Sequence, residues 1–467
     1  MEVLQRLHNR GSISTGEYQI DNSVKMEQDN TERMYRPWGS GSGDRRTWTI
    51  SCWVKRTELG DLQYMWGAGT GGLDFLGLSF DADDTLRFRH YTSAEYCIKK
   101  TNRLFRDISA WYHIVVAVDT TDGTAGNRQK IYINGIEETS FQTSTDFDQN
   151  RETPHNQASG YFEVGTMIGS ADRFNGYISE LYSISGLQLA PTDFGKFDDN
   201  GVWIPIDYAG SYPGNSVRLE FKNASSMGDD TGGNHDSQPL TLQNIDASDQ
   251  ATDTPTNNFC TFNAVNMYGN TATLKEGATF TASTANGAFT TYGTMAPSSG
   301  KWWWEGKIQV FADTAYACIG ATTNLAGLPS VSAQLSGGHV IKLSKAQKWV
   351  LNDTGYGYGA AYADGDIINV GLDLDNRKFY SYKNGTIDDA NGIDISSTTF
   401  DGFGSQWMPL VITYGSGGAS SYEINFGGYR TYGIGSPQSD ANGYGTFEYA
   451  PPSGYYALCT KNLAEYG

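Results

Sequence analysis

Cysteine is scarce: Cys52, Cys97, Cys260, Cys318 and Cys459 are the five in 467 residues, widely and irregularly spaced, with no CxxC pair. An odd number at such intervals argues against a disulfide framework or a zinc site and leaves them as small buried apolar residues. Long apolar runs are missing as well. No stretch approaches the roughly 18 to 20 apolar residues of a membrane span, so no membrane insertion is expected. The opening MEVLQRLHNRGSIS has no apolar signal core, and the chain is expected to start from a cytoplasm. Leu, Glu and Lys are in short supply, which removes long helical windows. Positive charge is in the minority, 33 Lys and Arg against 52 Asp and Glu, for a net charge of −19. Without a basic stripe, nucleic acid is not an expected partner.

What is abundant is turn and strand chemistry: 56 Gly, 29 Tyr and 13% aromatic residues. The stretch DGDIINVGLDLDNRKFYSYKNGT, residues 364 to 386, spells a β-hairpin. Ile368, Val370, Leu372 and Leu374 alternate, Asp375-Asn376 turns, Lys378 to Tyr382 returns, and Asn384-Gly385 tolerates positive φ. HIVVAVDTTDGTAGNRQKIYINGIEE, residues 113 to 138, repeats this grammar with a longer turn and closes on Asn134-Gly135. Two copies, in a chain too long for one ordinary core, predict two β-sandwich domains.

Taken in order, residues 1–17 read as a docking arm. Tyr18 opens the first strand series. In TWTISCWVKR, Trp48, Ile50, Cys52 and Val54 share a face. With WYHIVVAVD, QKIYINGIEE and FNGYISELYSISGLQLAP, this text resembles a laminin-G-like, concanavalin-A-like jelly roll over residues 18–197. Residues 198–261 are polar with apolar anchors and read as an ordered connector covering one sheet. In GKWWWEGKIQV, Trp302, Trp304, Gly306 and Ile308 face one way and Trp303 and Glu305 the other. Gly300 to Glu305, Cys318 to Gly320, Gly365 to Asp373 and Phe379 to Gly385, in that order, resemble a SPRY domain, assigned to residues 262–429. Residues 430–467, with Pro451-Pro452 barring helix and interior strand there, read as an irregular cap. The fold class is therefore all-β: two antiparallel jelly-roll sandwiches in tandem, a connector and a cap.

Signals for chemistry are weak. Glycan hydrolysis on such a sandwich needs two carboxylates about 5 to 9.5 Å apart, and no Glu-x-Asp-x-Glu run is present; Asp373 and Asp375 read as strand-end residues. None of the six histidines sits in a catalytic signature, and GYGYG is a Gly-rich turn with no helix after it. No catalytic residue and no cofactor are assigned, and the chain is not read as an enzyme. In GDDTGGNHD, Asp229, Asp230, Asn234 and Asp236 are hard oxygen donors, but the run lacks full calcium-loop spacing; solvated turns are the reading and no metal is assigned. Aromatic residues in turns make the stronger case. Trp349, Tyr356, Tyr358, Tyr362 and Trp407 are the candidate ligand-binding residues, because flat rings stack on sugar faces and anchor protein contacts.

The two sandwiches, the GDDTxGN run and the YAPPSGYYALCTKNL ending together resemble virion structural proteins of tailed bacteriophages. That resemblance implies a tail, fibre or capsid-surface protein, synthesised in the host cytoplasm and displayed on the virion exterior. Its expected partners are other virion proteins through the arm, further copies of itself as a homo-oligomer (a trimer), and a host-surface glycan or protein. A purely architectural component and a polysaccharide depolymerase are the alternatives.

Overall fold

The computed structural model describes residues 18–38, 43–71, 74–93, 95–232, 238–265, 267, 274–275, 277, 279–283, 288–311, 316–323, 339–343, 347–350, 355–396, 404–414, 420–429 and 432–467. The docking arm, residues 1–17, lies outside them.

Both predicted hairpins form, and they close in the same way. Trp111–Asp119 pairs antiparallel with Gln129–Ile133, and Ile367–Asp373 with Lys378–Lys383. Asn134 and Gly135 have φ of 49° and 80°; Asn384 and Gly385 have 49° and 76°. Positive φ at both positions matches the right-handed strand twist, which is why Asn-Gly occupies them. Each Asn side-chain oxygen also accepts the backbone N–H of the first strand, from His113 and from Ile367, at 2.8 Å.

The chain divides into two compact units between Thr256 and Asn257. In the first, two eight-stranded sheets face each other. Trp48, Ile50, Cys52 and Val54 of one meet Met34, Trp66, Leu76 and Phe88 of the other in a common core. The second unit has a nine-stranded and a six-stranded sheet, with Trp302, Trp304 and Ile308 in its core and Trp303 on the opposite face. Every strand ladder among the described residues is antiparallel except Tyr456–Ala457 beside Lys301–Phe311. The architecture is all-β, with one α-helix, Thr460–Tyr466, among the described residues. That helix closes the segment read as an irregular cap. All five cysteines are buried and unbridged.

Residues 198–256 differ from the expected connector. Val217–Leu219 pairs with Gly176–Ser185, Thr241–Gln243 with Arg33–Pro37, and Gln250–Ala251 with Ser23–Met26, so the segment supplies strands to both sheets of the first unit. Its acidic character has a structural cause. Asp230, Asp249 and Asp253 are counter-ions to the buried Arg36, Lys25 and Lys55, at 2.8, 2.9 and 2.7 Å.

This segment, with Phe194 just before it, also covers one face of the first sheet. Phe194, Tyr208 and Tyr212 pack on Val115, Tyr182 and Ile184, covering the outer side of the first sheet. Gly176–Ser185 is buried along its whole length in consequence. In the second sheet, Arg33–Pro37 and Thr85–Thr92 alternate between buried and accessible residues, the pattern of a strand with one side toward water.

Candidate functional site

The outer face of the second sheet is built from register; its flanking strands, Arg33–Pro37 and Thr85–Thr92, reach water, while Gln63–Gly71 and Asp74–Phe80 at its centre are buried almost throughout. One row of directly opposed residues crosses five strands as Arg89, Gly77, Gly67, Glu163 and Tyr35. The next row, two residues along, reads Tyr91, Phe75, Gly69, Tyr161 and Pro37. Strands stand about 4.8 Å apart, so Arg89 and Tyr35 are roughly 19 Å apart across the sheet. The glycines in the middle make room. A Cβ on Gly67 would come within 2.8 Å of Met167, and one on Gly77 within 3.1 Å of the Tyr64 ring. Tyr64, Phe75 and Met167 therefore form a small apolar floor, with Tyr91 packed against it.

Around that floor the groups are polar and ringed. The Arg89 guanidinium lies 5.0 Å over Phe75 and donates to the Tyr64 hydroxyl at 2.5 Å. Tyr91 stacks on Phe75 at 5.4 Å, and Tyr35 meets Tyr161 at 6.4 Å. Arg33 lies 4.9 Å over Tyr35 and donates to Glu163 at 2.8 Å. Burial raises the Glu163 carboxyl above its ordinary range, and the charges of Arg33 and Arg173 pull against that rise. Tyr161 is 38% exposed, so its ring offers a face to solvent. An amphipathic ring beside a fixed guanidinium is the combination that dominates recognition surfaces.

None of these residues was singled out in the sequence. A signal exists: Arg33-x-Tyr35 and Arg87-x-Arg89-x-Tyr91 place Arg and Tyr at every second position, on one side of a strand.

The residues that were singled out lie in the second unit. Tyr358, Tyr362 and Trp407 are core residues there, at 6%, 5% and 1% exposure, and do not form a wet rim. In GYGYGAAY, Tyr358 and Tyr362 turn inward while Gly359, Ala360 and Ala361 take the water, because each buried ring removes far more apolar surface than a glycine or alanine can. Trp349 and Tyr356 fall on the neighbouring strands Gln347–Val350 and Gly355–Gly357, where Trp349 pairs with Gly355 and Lys348 with Tyr356; their side chains lie outside the described residues. Asp229 accepts from Asn223 and Ser226, and Asp230 from Arg36 and the backbone N–H groups of Arg218 and Gly232. Asn234 and Asp236 lie outside the described residues.

Two other arrangements look like chemistry and are closed to it. Glu180 and Glu220 both contact Arg218 Nη2, at 3.6 and 3.2 Å. That places the carboxylates within about 7 Å of each other, inside the range used for glycoside hydrolysis. Burial raises Glu180; Glu220 is lowered, as Lys222, Thr231 and Arg218 outweigh its burial. The guanidinium, however, fills the space where a glycosidic bond would lie, and the Tyr18 hydroxyl bonds to Glu180 at 2.5 Å. Glu180 itself sits at φ 43° where the strand register shifts.

The second is Ser51–His113, at 2.8 Å. Trp203 Nε1 donates to His113 Nδ1 at 3.0 Å, so the proton is on Nε2 and is donated to Ser51; the ring has no lone pair left to act as a base. His155 beside Ser183 is equally buried. Burial lowers both imidazoles to about 3. With a folded value below the unfolded value of about 6.5, each stabilises fully above pH 6.5, and that stability is lost as pH falls toward 3. Imidazole nitrogen NMR shifts of both are expected to stay neutral at pH 5. Protonated rings in the folded protein at that pH would show the pockets to be wet.

Residues 34–185 match a laminin-G-type family model, described as the concanavalin A-like lectin/glucanases superfamily. The first sandwich is concanavalin A-like. Among curated proteins none matches the chain. Solved structures similar to it include the SPRY domain of human HERC1, at 13% identity over 33% of this chain and 92% of that one, TM-score 0.27. A heptameric SAP-like pentraxin from Limulus polyphemus is 14% identical over 44% of this chain and 94% of that one, TM-score 0.30. Domain 4 of the arabinanase AbnA from Geobacillus stearothermophilus, solved with arabinotriose, is 21% identical over 39% and 79%, TM-score 0.29.

Proposed function

We propose that this chain is a tailed-bacteriophage virion protein, displayed on the exterior as a tail, fibre or capsid-surface component, whose first sandwich holds a host-surface glycan or protein without cutting it. It assembles as a homo-oligomer, a trimer, and residues 1–17 tie it to other virion proteins. The virion reading rests on the resemblance that spans nearly the whole chain. The binding reading rests on one observation: a lectin-like sandwich whose open sheet presents rows of Tyr and Arg, with Tyr161 facing water.

The experiment is retention of the full-length protein on host envelopes. Tyr161→Ala is expected to weaken it roughly tenfold, the size of one well-placed ring contact, with no release of reducing sugar and with antibody labelling on the outside of purified particles. Full retention by the variant would reject this face. Absence of any retention would leave an architectural protein, and sugar release would make it a depolymerase.

A further inference from the structure

On the outer side of the first sheet, register brings two buried lysines into one row. Lys25 stands opposite Tyr177, Tyr177 opposite Lys55, and Lys55 opposite Trp111. Val24, Met26, Cys52 and Val54 on the same two strands face the core, so both lysines point the other way. Each meets an aspartate from the end of the first unit: Asp249 touches Lys25 at 2.9 Å, and Asp253 touches Lys55 at 2.7 Å. At Lys55 the aspartate is shared with the Trp111 indole N–H, which is a donor only. At Lys25 a second carboxyl is in contact, Glu32 Oε1 at 3.0 Å. Lys25, Glu32 and Asp249 are all buried. Burial raises both carboxyls, Glu32 to about 7, against the pull of the Lys25 charge. Both are also held in place: Asp249 Oδ2 accepts the Asp246 N–H at 2.9 Å, and Glu32 Oε2 accepts the Glu27 N–H at 2.7 Å. Each therefore turns its other oxygen to the Lys25 nitrogen.

We propose that Lys25 and Asp249 condense into an intramolecular amide bond, with Glu32 as the carboxyl that moves the protons. The Lys25 ammonium gives one proton to Asp249 Oδ1, and the dry interior favours the resulting neutral pair over two buried charges. The freed Nζ lone pair adds to Asp249 Cγ and pushes the carbonyl electrons onto Oδ2, where the Asp246 N–H already points. Glu32 takes the second proton from nitrogen and passes one to Oδ1. The carbonyl at Oδ2 re-forms as Oδ1 leaves as water. One C–N bond is made and one C–O bond broken, with no oxidant or reductant, and the expelled water leaves a site with no charge to draw it back. The bond joins the first strand to the last turn of the unit, beside the pairing of Ser23–Met26 with Gln250–Ala251. Ile20 and Thr256, where the chain enters and leaves, are bonded to each other close by. A cross-link there closes a loop round nearly the whole sandwich, the placement that most restricts an unfolded chain. Tension along the chain would then pass through the clasp and leave the sheets unloaded.

The test is the intact mass of the purified full-length protein, followed by peptide mapping after denaturation and reduction. The mass is expected to be lower than that of the sequence by one water, with the segments carrying Lys25 and Asp249 recovered as a single branched peptide. Lys55 and Asp253 should appear in separate peptides. Glu32→Gln keeps an acceptor for the Glu27 N–H but cannot move protons, and its mass should equal that of its sequence, as should that of Lys25→Met. In denaturing electrophoresis with reductant, the closed loop should separate the wild type from both variants. A wild-type protein of full sequence mass overturns the proposal, whether or not any variant folds. So does a missing water that maps to other residues. Loss of water in Glu32→Gln, or a second bond between Lys55 and Asp253, would overturn the role given to Glu32, since contact alone would then suffice.

Discussion

Replacing Asp253 with Ala is expected to cost the first unit about 3 to 5 kcal/mol, the usual result of leaving one member of a buried ion pair without its partner. Asp253 Oδ2 holds the Lys55 ammonium at 2.7 Å, and Oδ1 accepts from Trp111 Nε1 at 3.0 Å. Lys55 is fully buried and Asp253 nearly so. Removing the carboxylate takes the counter-charge from a buried ammonium and the acceptor from an indole N–H. Asp253→Asn keeps the Trp111 bond and loses the charge, so it should fall between wild type and Ala. The double replacement Lys55→Met with Asp253→Leu should recover most of the loss, because a well-packed apolar pair is often as stable as a buried salt bridge. Urea unfolding of the full chain, followed in the first unit, measures all three. A loss of less than about 0.5 kcal/mol for Asp253→Ala, typical of a surface change, would show that the acids of residues 198–256 are not there to neutralise buried cations.

That segment also shows where sequence reading stops. Its apolar anchors are legible, and the acids of GDDTGGNHD read as solvated turns. A carboxylate paired with a lysine some 200 positions away gives the same local text as one in water; Asp253 and Lys55 are 198 residues apart. Hairpins were legible because their cause is local. Asn-Gly needs no partner beyond the two strands it joins, and Asn134 and Asn384 reach the same φ in different units. The parity of GKWWWEGKIQV was legible for the same reason.

The candidate ligand site was not. Its rows are defined across strands, and Arg89, Gly77, Gly67, Glu163 and Tyr35 become neighbours through register alone. Composition misled in the second unit: an aromatic residue in Gly-rich text was read as a rim, yet Tyr358 and Tyr362 turn into the core. Ring and glycine together mark a place where the backbone folds tightly over its own side chains as well as a place where rings face water.

Glu305→Ala should destabilise the second unit by about 3 to 5 kcal/mol and free the segment that follows its last long strand. Glu305 is fully buried beside Trp303, on the side of Lys301–Phe311 away from the core. Oε1 accepts from the Tyr432 hydroxyl at 2.8 Å, the Glu448 N–H at 2.7 Å and Asn425 at 3.1 Å; Oε2 accepts from Asn369 at 3.0 Å and the Tyr449 N–H at 3.4 Å. Three of those donors belong to residues 432–449. Phe447, Tyr455, Ala457 and Cys459 then pack with Trp303 over the same face. The carboxylate fixes the register of this cover and the rings supply its area. Removing the carboxylate leaves five donors to find water or stay unpaired, which is why the expected loss exceeds that of one hydrogen bond. Trp303→Ala should be as costly by lost burial, but it leaves the donors satisfied, so the two variants separate in proteolysis. Cleavage between residues 430 and 449 should rise sharply for Glu305→Ala while the core stays intact. A variant with wild-type protection there would mean that the cover is held by Trp303 and its neighbours, and that Glu305 is a passenger beneath it.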